Sequence, residues 1–245
     1  MKKRKGIIIL LSVIFCLLIA IVGVFFIYVS NYYHGDDLAY ESIKSDEDVL
    51  VSDNGGYYSF VPKNHEYDKA IIFYQGAKVE VEAYAPLLKK LALNNIACYG
   101  IKCNFNLAFF NVNSYKSIYD EVKKDNVSYY TMGHSLGGVM AGIAAKKYES
   151  ICNGVILLAS YLSSDISKTS LSCLSIYGTN DGVLKLDKYE ESKKYLPEGF
   201  TECMIDGGIH SYFASYGMQK GDGEPQISRK SQLEKTTEYI LDFLK

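Results

Sequence analysis

Gly133-His134-Ser135-Leu136-Gly137-Gly138 stands between two contrasting stretches. Val127 to Met132 before it is rich in strand-forming residues, and Gly137 to Glu149 after it is rich in small, helix-compatible ones. The hexapeptide is therefore a strand-to-helix junction with a serine at its apex. A serine there must turn the chain sharply while its hydroxyl points outward. Side chains two residues before and two after would collide in such a turn, which explains glycine at both 133 and 137. The following helix would bring its first N–H groups and the positive end of its dipole to the hydroxyl. Gly133-x-Ser135-x-Gly137 thus has the form of a nucleophile elbow. The same glycines resemble a phosphate loop, but Val139 and Met140 occupy the positions where Lys and Ser or Thr are required, which argues against a nucleotide site.

Serine at its ordinary pKa is a poor nucleophile and needs a base. The chain has four histidines. His34 follows the N-terminal apolar segment, His65 precedes the first central strand, and the side chain of His134 should point away from its neighbour's hydroxyl. His210 remains, on the glycine-rich stretch Asp206-Gly207-Gly208-Ile209-His210. A base also needs a carboxylate to fix its tautomer. Asp181 lies in Gly178-Thr179-Asn180-Asp181-Gly182, a turn after the strand ending at Tyr177, and so at the strand edge where the elbow also falls. Asp206, close to His210 in sequence, is the runner-up.

The remaining pattern alternates. A hairpin is predicted from Asp48–Val51 and Tyr57–Val61 around Asn54-Gly55-Gly56. Strands are then expected at Ala70–Tyr74, Ile96–Lys102, Ser128–Met132, Gly154–Leu158, Leu171–Tyr177 and Thr201–Ile205. Helices are expected at Glu82–Asn94, at Ser114–Lys124 with a serine cap, at Gly137–Glu149, Asp187–Leu196 and Arg229–Leu244. Strands alternating with helices imply an α/β fold: a mostly parallel sheet with helices on both faces.

Ser135, Asp181 and His210 occur in the order of the alpha/beta-hydrolase superfamily, which the chain resembles from about residue 48 onward. The resemblance is carried by Tyr74-Gln75-Gly76-Ala77-Lys78-Val79, Lys102-Cys103-Asn104-Phe105-Asn106-Leu107-Ala108, the elbow, Ile176-Tyr177-Gly178-Thr179-Asn180-Asp181-Gly182, and Gly207-Gly208-Ile209-His210-Ser211-Tyr212-Phe213. It looks closest to a compact bacterial branch of membrane-anchored or exported hydrolases. Two departures stand out. Gln75-Gly76-Ala77 replaces a proline and two glycines, and Ile209 replaces a polar residue. The resemblance implies an oxyanion hole built from the backbone N–H groups of Leu136 and Ala77. It also implies no large cap domain, because Leu158 to Leu171 is too short to hold one. Leu107-Ala108-Phe109-Phe110 and Tyr212-Phe213 are candidates either for an acyl pocket or for core.

The N-terminus is organised differently. Lys2, Lys3, Arg4 and Lys5 precede Ile7 to Val29, a run without a charge. As a helix at 1.5 Å per residue this run would be about 35 Å long, enough to cross a bilayer core of about 30 Å. A cleaved signal peptide would have a shorter core and a small-x-small site, which Tyr28-Val29-Ser30-Asn31-Tyr32 lacks. The expected organisation is a basic flank and transmembrane signal anchor over 1–30, a stalk over 31–47 and the hydrolase domain over 48–245. With the basic flank in the cytoplasm, the domain would face the outside of a single-pass cell-membrane protein.

The net charge of -2, with no basic block after residue 5, argues against a nucleic-acid partner. Six cysteines show no metal spacing. Cys98 and Cys103 should face opposite sides of the sheet; buried thiols are the simple reading. No metal or organic cofactor is implied. The expected function is serine-dependent hydrolysis of a carboxylic ester or related acyl bond, on a small-molecule or lipid-like acyl substrate. An acyltransferase acting on cell-envelope molecules would use the same residues, and a non-catalytic envelope binding protein would keep only the fold.

Overall fold

Strand β1 (Val49–Asp53) and strand β2 (Tyr57–Pro62) form an antiparallel hairpin, with Gly55 at φ 78° in the turn. The six strands that follow are β3 (Lys69–Tyr74), β4 (Ile96–Ile101), β5 (Ser128–His134), β6 (Gly154–Leu158), β7 (Ser172–Gly178) and β8 (Thr201–Ile205). All eight join one sheet in the order β1-β2-β4-β3-β5-β6-β7-β8, antiparallel at β1–β2 and β2–β4 and parallel elsewhere. The computed structural model describes residues 2–245. Met1 and the side chains of Lys2, Lys3 and Ile8, which belong to the basic flank and apolar run, lie outside the described residues.

Period-2 alternation sorts the central strands between two cores. Ile71 and Phe73 of β3 face one cluster with helix α3 (Ala85–Ala92) and helix α7 (Arg229–Phe243). Ala70, Ile72 and Tyr74 face the other, with helix α4 (Ser114–Val122) and helix α5 (Leu136–Lys147). Helix α6 (Leu186–Ser192) packs Tyr189 against Tyr177. Cys98 and Cys103 fall in opposite clusters, although β4 ends before Cys103.

Two local expectations change. Helix α4 has no serine cap. Ser114 is its first residue, and Asn113 before it makes no side-chain cap, because the Asn113 amide oxygen accepts from Lys147 Nζ at 2.6 Å and Tyr148 Oη at 2.9 Å. The long helix expected from Glu82 is split into a 3-10 turn at Val81–Tyr84 followed by α3, with Pro86 in the first turn of the α-helix.

The expected stalk over 31–47 is corrected. The chain divides after Tyr32, and Tyr33 onward belongs to the folded body. Tyr33 bridges Val79 as a short parallel pair, Asp36 N–H donates to the Ser215 carbonyl at 2.8 Å, and Arg229 pairs with Asp36 at 2.5 Å. A short helix α2 (Asp37–Ser42), capped by Asp36, buries Ala39. Six residues carry too little periodicity to reveal this in the sequence. Helix α1 (Lys2–Ser30) is, among the described residues, the one helix long and apolar enough to cross a membrane, the candidate span Arg4–Ser30 having mean hydropathy 3.4.

Candidate active site

The C-terminal edge of the parallel strands is where the chemistry-bearing loops meet. Ser135 leaves β5 with φ 53° and ψ -124°, a conformation that costs a side-chain-bearing residue about 1–3 kcal/mol. Its neighbours hold it there. Ser135 N–H donates to the Leu158 carbonyl at 2.9 Å, and its own carbonyl accepts from Ser160 Oγ at 2.6 Å and Gly138 N–H at 3.0 Å.

The turn leaves no room beside it. A Cβ on Gly133 would lie 2.3 Å from the Gly137 carbonyl carbon, and one on Gly137 would lie 2.2 Å from the Tyr74 carbonyl oxygen and 2.4 Å from that of Gln75. These obstacles are backbone and cannot rotate away. A helical Gly→Ala change normally stabilises by about 0.4–1 kcal/mol. Gly137→Ala is expected to do the opposite, destabilising by about 3 kcal/mol through overpacking, and to lower the thermal midpoint by roughly 10 °C in a domain of this size. Differential scanning calorimetry checks this; a midpoint at or above wild type would contradict it.

Asp181 and His210 meet directly. His210 Nδ1 lies 2.8 Å from Asp181 Oδ2, and both side chains are 1% exposed. The other Asp181 oxygen accepts from Val183 N–H at 2.8 Å and Leu184 N–H at 2.7 Å, which fixes the carboxylate. A carboxylate oxygen only accepts, so Nδ1 donates to it, which in the neutral tautomer leaves the lone pair on Nε2. Nε2 is buried and has no hydrogen-bond partner among the described residues. Ser135 and His210 line one cavity of about 210 Å3, together with Leu136, Val139, Tyr161 and Leu184. Asp206 is exposed and accepts from Thr179 Oγ1 at 3.3 Å, away from the imidazole. His34 pairs with Glu80, and His65 is an exposed residue between β2 and β3.

Among the described residues, the backbone N–H groups of Leu136 and Ala77 make no hydrogen bond. Ala77 sits in the loop after β3. The buried Gln75 side chain organises that loop: its amide nitrogen donates to the Val79 carbonyl and to Asn106 Oδ1, both at 2.8 Å, and its oxygen accepts from Cys103 N–H at 3.2 Å. Glutamine at 75 therefore staples two loops together.

The aromatic segments do not line the cavity shared by Ser135 and His210. Leu107, Ala108 and Phe213 are buried in the cores, whereas Phe109 and Phe110 are exposed. Tyr212 lines a separate cavity of about 670 Å3 with Leu38, Pro86, Met218 and Leu233, which contains neither Ser135 nor His210.

Three residues that sequence reasoning passed over hold the histidine loop. Gln232 of α7 is fully buried, accepts from Ile209 N–H at 2.9 Å and donates to the Ile209 carbonyl at 2.7 Å. Asp222 accepts from His210 N–H at 3.1 Å, Ser211 N–H at 2.7 Å and Ser211 Oγ at 2.7 Å. Partial burial opposes ionisation of Asp222, but the bonds from Ser211, Gly223 and His210 outweigh it and lower its pKa, so it stays a carboxylate at neutral pH. The Gly221-Asp222-Gly223 sequence, an acid between two glycines in a loop, was the available signal.

His134 is the third. Its ring lies under that of His210, with centroids 4.4 Å apart, and is 1% exposed. Burial, reinforced by the neighbouring His210, holds its pKa well below the ordinary 6.5, against the opposing pull of the His210 carbonyl. His134 is therefore neutral when folded and free to protonate when unfolded. Below about pH 6.5 the unfolded chain binds the extra proton, so stability falls with acidity by up to about 1.4 kcal/mol per pH unit from this residue. The thermal midpoint is expected to drop between pH 7 and pH 5, and less steeply in His134→Gln. Equal slopes would contradict the assignment.

Comparison with known proteins agrees with this architecture. Three solved structures illustrate the likeness. A Francisella virulence factor, BioJ, is 17% identical with a TM-score of 0.61, covering 84% of this chain and 89% of its own. Est1E from Butyrivibrio proteoclasticus is 16% identical with a TM-score of 0.57, covering 81% and 99%. A soluble variant of monoglyceride lipase from Saccharomyces cerevisiae is 11% identical with a TM-score of 0.57, covering 82% and 97%. No curated protein sequence matches. The class is thus an alpha/beta-hydrolase fold with a strained serine at its strand edge. The alpha/beta hydrolase family itself matches residues 70–234, and the chain belongs to that family.

Proposed function

We propose that this chain is a serine hydrolase of short-chain carboxylic esters, held at the cell membrane by α1 with its catalytic domain outside. One observation carries the reading. His210 Nδ1 is engaged by Asp181, its Nε2 is buried without a partner among the described residues, and His210 lines the same cavity as Ser135.

The chemistry follows from the atoms. Ser135 Oγ attacks the acyl carbon as its proton passes to His210 Nε2. The oxyanion that forms is received by the N–H groups of Leu136 and Ala77, donors worth roughly 3 kcal/mol each in such sites. His210 returns the proton to the departing alkoxide, leaving an acyl-enzyme on Ser135. Water then repeats the sequence, giving up a proton to His210 and releasing the acid. Asp181 holds the imidazole in the required tautomer and stabilises the imidazolium. The basic residues at the start of α1, Lys2 to Lys5, favour a cytoplasmic N-terminus.

A cavity of about 210 Å3 lies below the usual 300–1,000 Å3 of drug-sized sites. Acetyl and butyryl esters are therefore expected to give kcat/KM at least 10-fold above dodecanoyl esters, the scale on which a few methylenes discriminate. A series of p-nitrophenyl esters tests this, and a flat or rising profile would remove the short-chain assignment.

The function is tested by fluorophosphonate labelling of the full chain in detergent, alongside His210→Ala. Labelling of the wild type that disappears in the variant is expected. A folded wild type that neither labels nor turns over esters would overturn the reading.

A further inference from the structure

We propose that His134 and Tyr84 form a positioning pair that sets the oxyanion loop and the base loop relative to each other. This deepens the serine-hydrolase reading and rests on it. Neither residue lines the Ser135 cavity, so each would act through the loops it holds.

The connection is a single directed chain of hydrogen bonds. Gly76 N–H donates to Tyr84 Oη at 3.0 Å, Tyr84 Oη lies 2.8 Å from His134 Nδ1, and His134 Nε2 lies 3.1 Å from the His210 carbonyl oxygen. Its polarity is forced. The His210 carbonyl can only accept, so Nε2 of His134 carries the proton. A neutral His134 then has a bare Nδ1, which must accept from the Tyr84 hydroxyl. That hydroxyl, having given its proton to His134, takes the Gly76 N–H on its oxygen. Each group is satisfied in one sense only, and Tyr84 is fully buried.

The two ends of this chain are the two loops the reaction needs. Gly76 immediately precedes Ala77, whose N–H is unengaged among the described residues. With the Gly76 N–H bound to Tyr84, Ala77 keeps the unengaged N–H of this loop for the role the proposed mechanism gives it. At the other end, the bond reaches the main chain of His210 itself. Gln232 fixes the preceding residue and Asp222 fixes the N–H groups of His210 and Ser211, so His134 supplies the side-chain restraint on the His210 carbonyl, beside the longer bond from Phe213 N–H at 3.5 Å. The packing excludes alternatives at Gly76: a Cβ there would lie 2.8 Å from Tyr84 Oη and 3.0 Å from His134 Nδ1.

The test uses the full chain in detergent. Tyr84→Phe removes one hydroxyl, and His134→Gln keeps an amide that can still reach the His210 carbonyl but loses Nδ1. Tyr115→Phe is the control. It removes an equally buried side chain's hydroxyl, bonded to the Ile151 carbonyl at 2.8 Å, in the other core. At a temperature where circular dichroism shows every variant folded, Tyr84→Phe is expected to lower kcat for p-nitrophenyl acetate by roughly 10- to 100-fold with KM unchanged, the effect of small misplacement at a reaction centre. Tyr115→Phe is expected to lose stability but keep kcat. The double variant of Tyr84 and His134 should be no slower than the slower single variant, because both break one chain. Wild-type kcat in folded Tyr84→Phe and His134→Gln, with wild-type phosphonate labelling intact, overturns the positioning role alone. A folded wild type that does not label removes the serine-hydrolase reading, and the positioning role with it.

Discussion

Ser135→Ala is expected to reduce kcat for ester hydrolysis by roughly 10^5- to 10^6-fold and to abolish phosphonate labelling. The size of the effect follows from what the hydroxyl supplies. Without Oγ no acyl-enzyme forms, and water must attack directly with a base poised for another atom. The remaining rate, about 10^3–10^4 above the uncatalysed reaction, would come from the backbone donors and substrate binding alone. The fold should not suffer. Removing the hydroxyl leaves the strained backbone at φ 53° held by the Leu158 carbonyl, Ser160 Oγ and Gly138 N–H, none of which involves the Ser135 side chain. Unchanged thermal stability with lost turnover is therefore the signature. Turnover within 10-fold of wild type would remove Ser135 from the mechanism.

Asp181→Asn is expected to be nearly as damaging, lowering kcat by about 10^4-fold with little loss of folding. The Val183 and Leu184 N–H groups require an oxygen at the position of Oδ1, so the asparagine must turn its NH2 towards His210. Nδ1 would then have to accept, and the proton would move to Nε2. His210 would face Ser135 with a donor where a lone pair is needed. The imidazole stays in place and carries the wrong tautomer. Measuring kcat and the rate of phosphonate labelling across pH, with far-UV circular dichroism as the folding control, checks this. A variant retaining a tenth of wild-type turnover would show that Asp181 does not orient the base.

The base loop is held by more groups than the reaction names. Ile209, His210 and Ser211 are bonded through their main chain to Gln232, Asp222 and His134. A histidine on a loop would otherwise sample many positions, and effective catalysis requires it within a few tenths of an ångström of one of them. The neutral state of His134 matters here as well. In the proposed mechanism an imidazolium forms on His210; a second charge beside it would raise the barrier, and burial of His134 opposes that charge.

The sequence by itself determined the parts that depend on neighbours along the chain. Gly133 and Gly137 announce the elbow because the steric conflict they relieve lies within one turn. Asp181 and His210 are legible because each follows a strand on a turn-forming segment, and the parallel alternation places such segments at one edge. The charge-free run from Ile7 to Val29 is legible from length and composition alone. Only the tertiary structure decided the rest. Tyr84 meets His134 across 50 positions, and Gln232 meets Ile209 across 23. A buried hydroxyl or amide has no local mark that says which donor it will satisfy. Tyr33 to Ser42 looked like a stalk because its partners, Val79, Ser215 and Arg229, lie far along the chain. The serine cap expected for α4 is absent, and Asn113, which takes the cap position, makes no cap for the same reason: a hydrogen-bonding side chain takes the donors that packing brings to it, and the sequence carries no record of that distance.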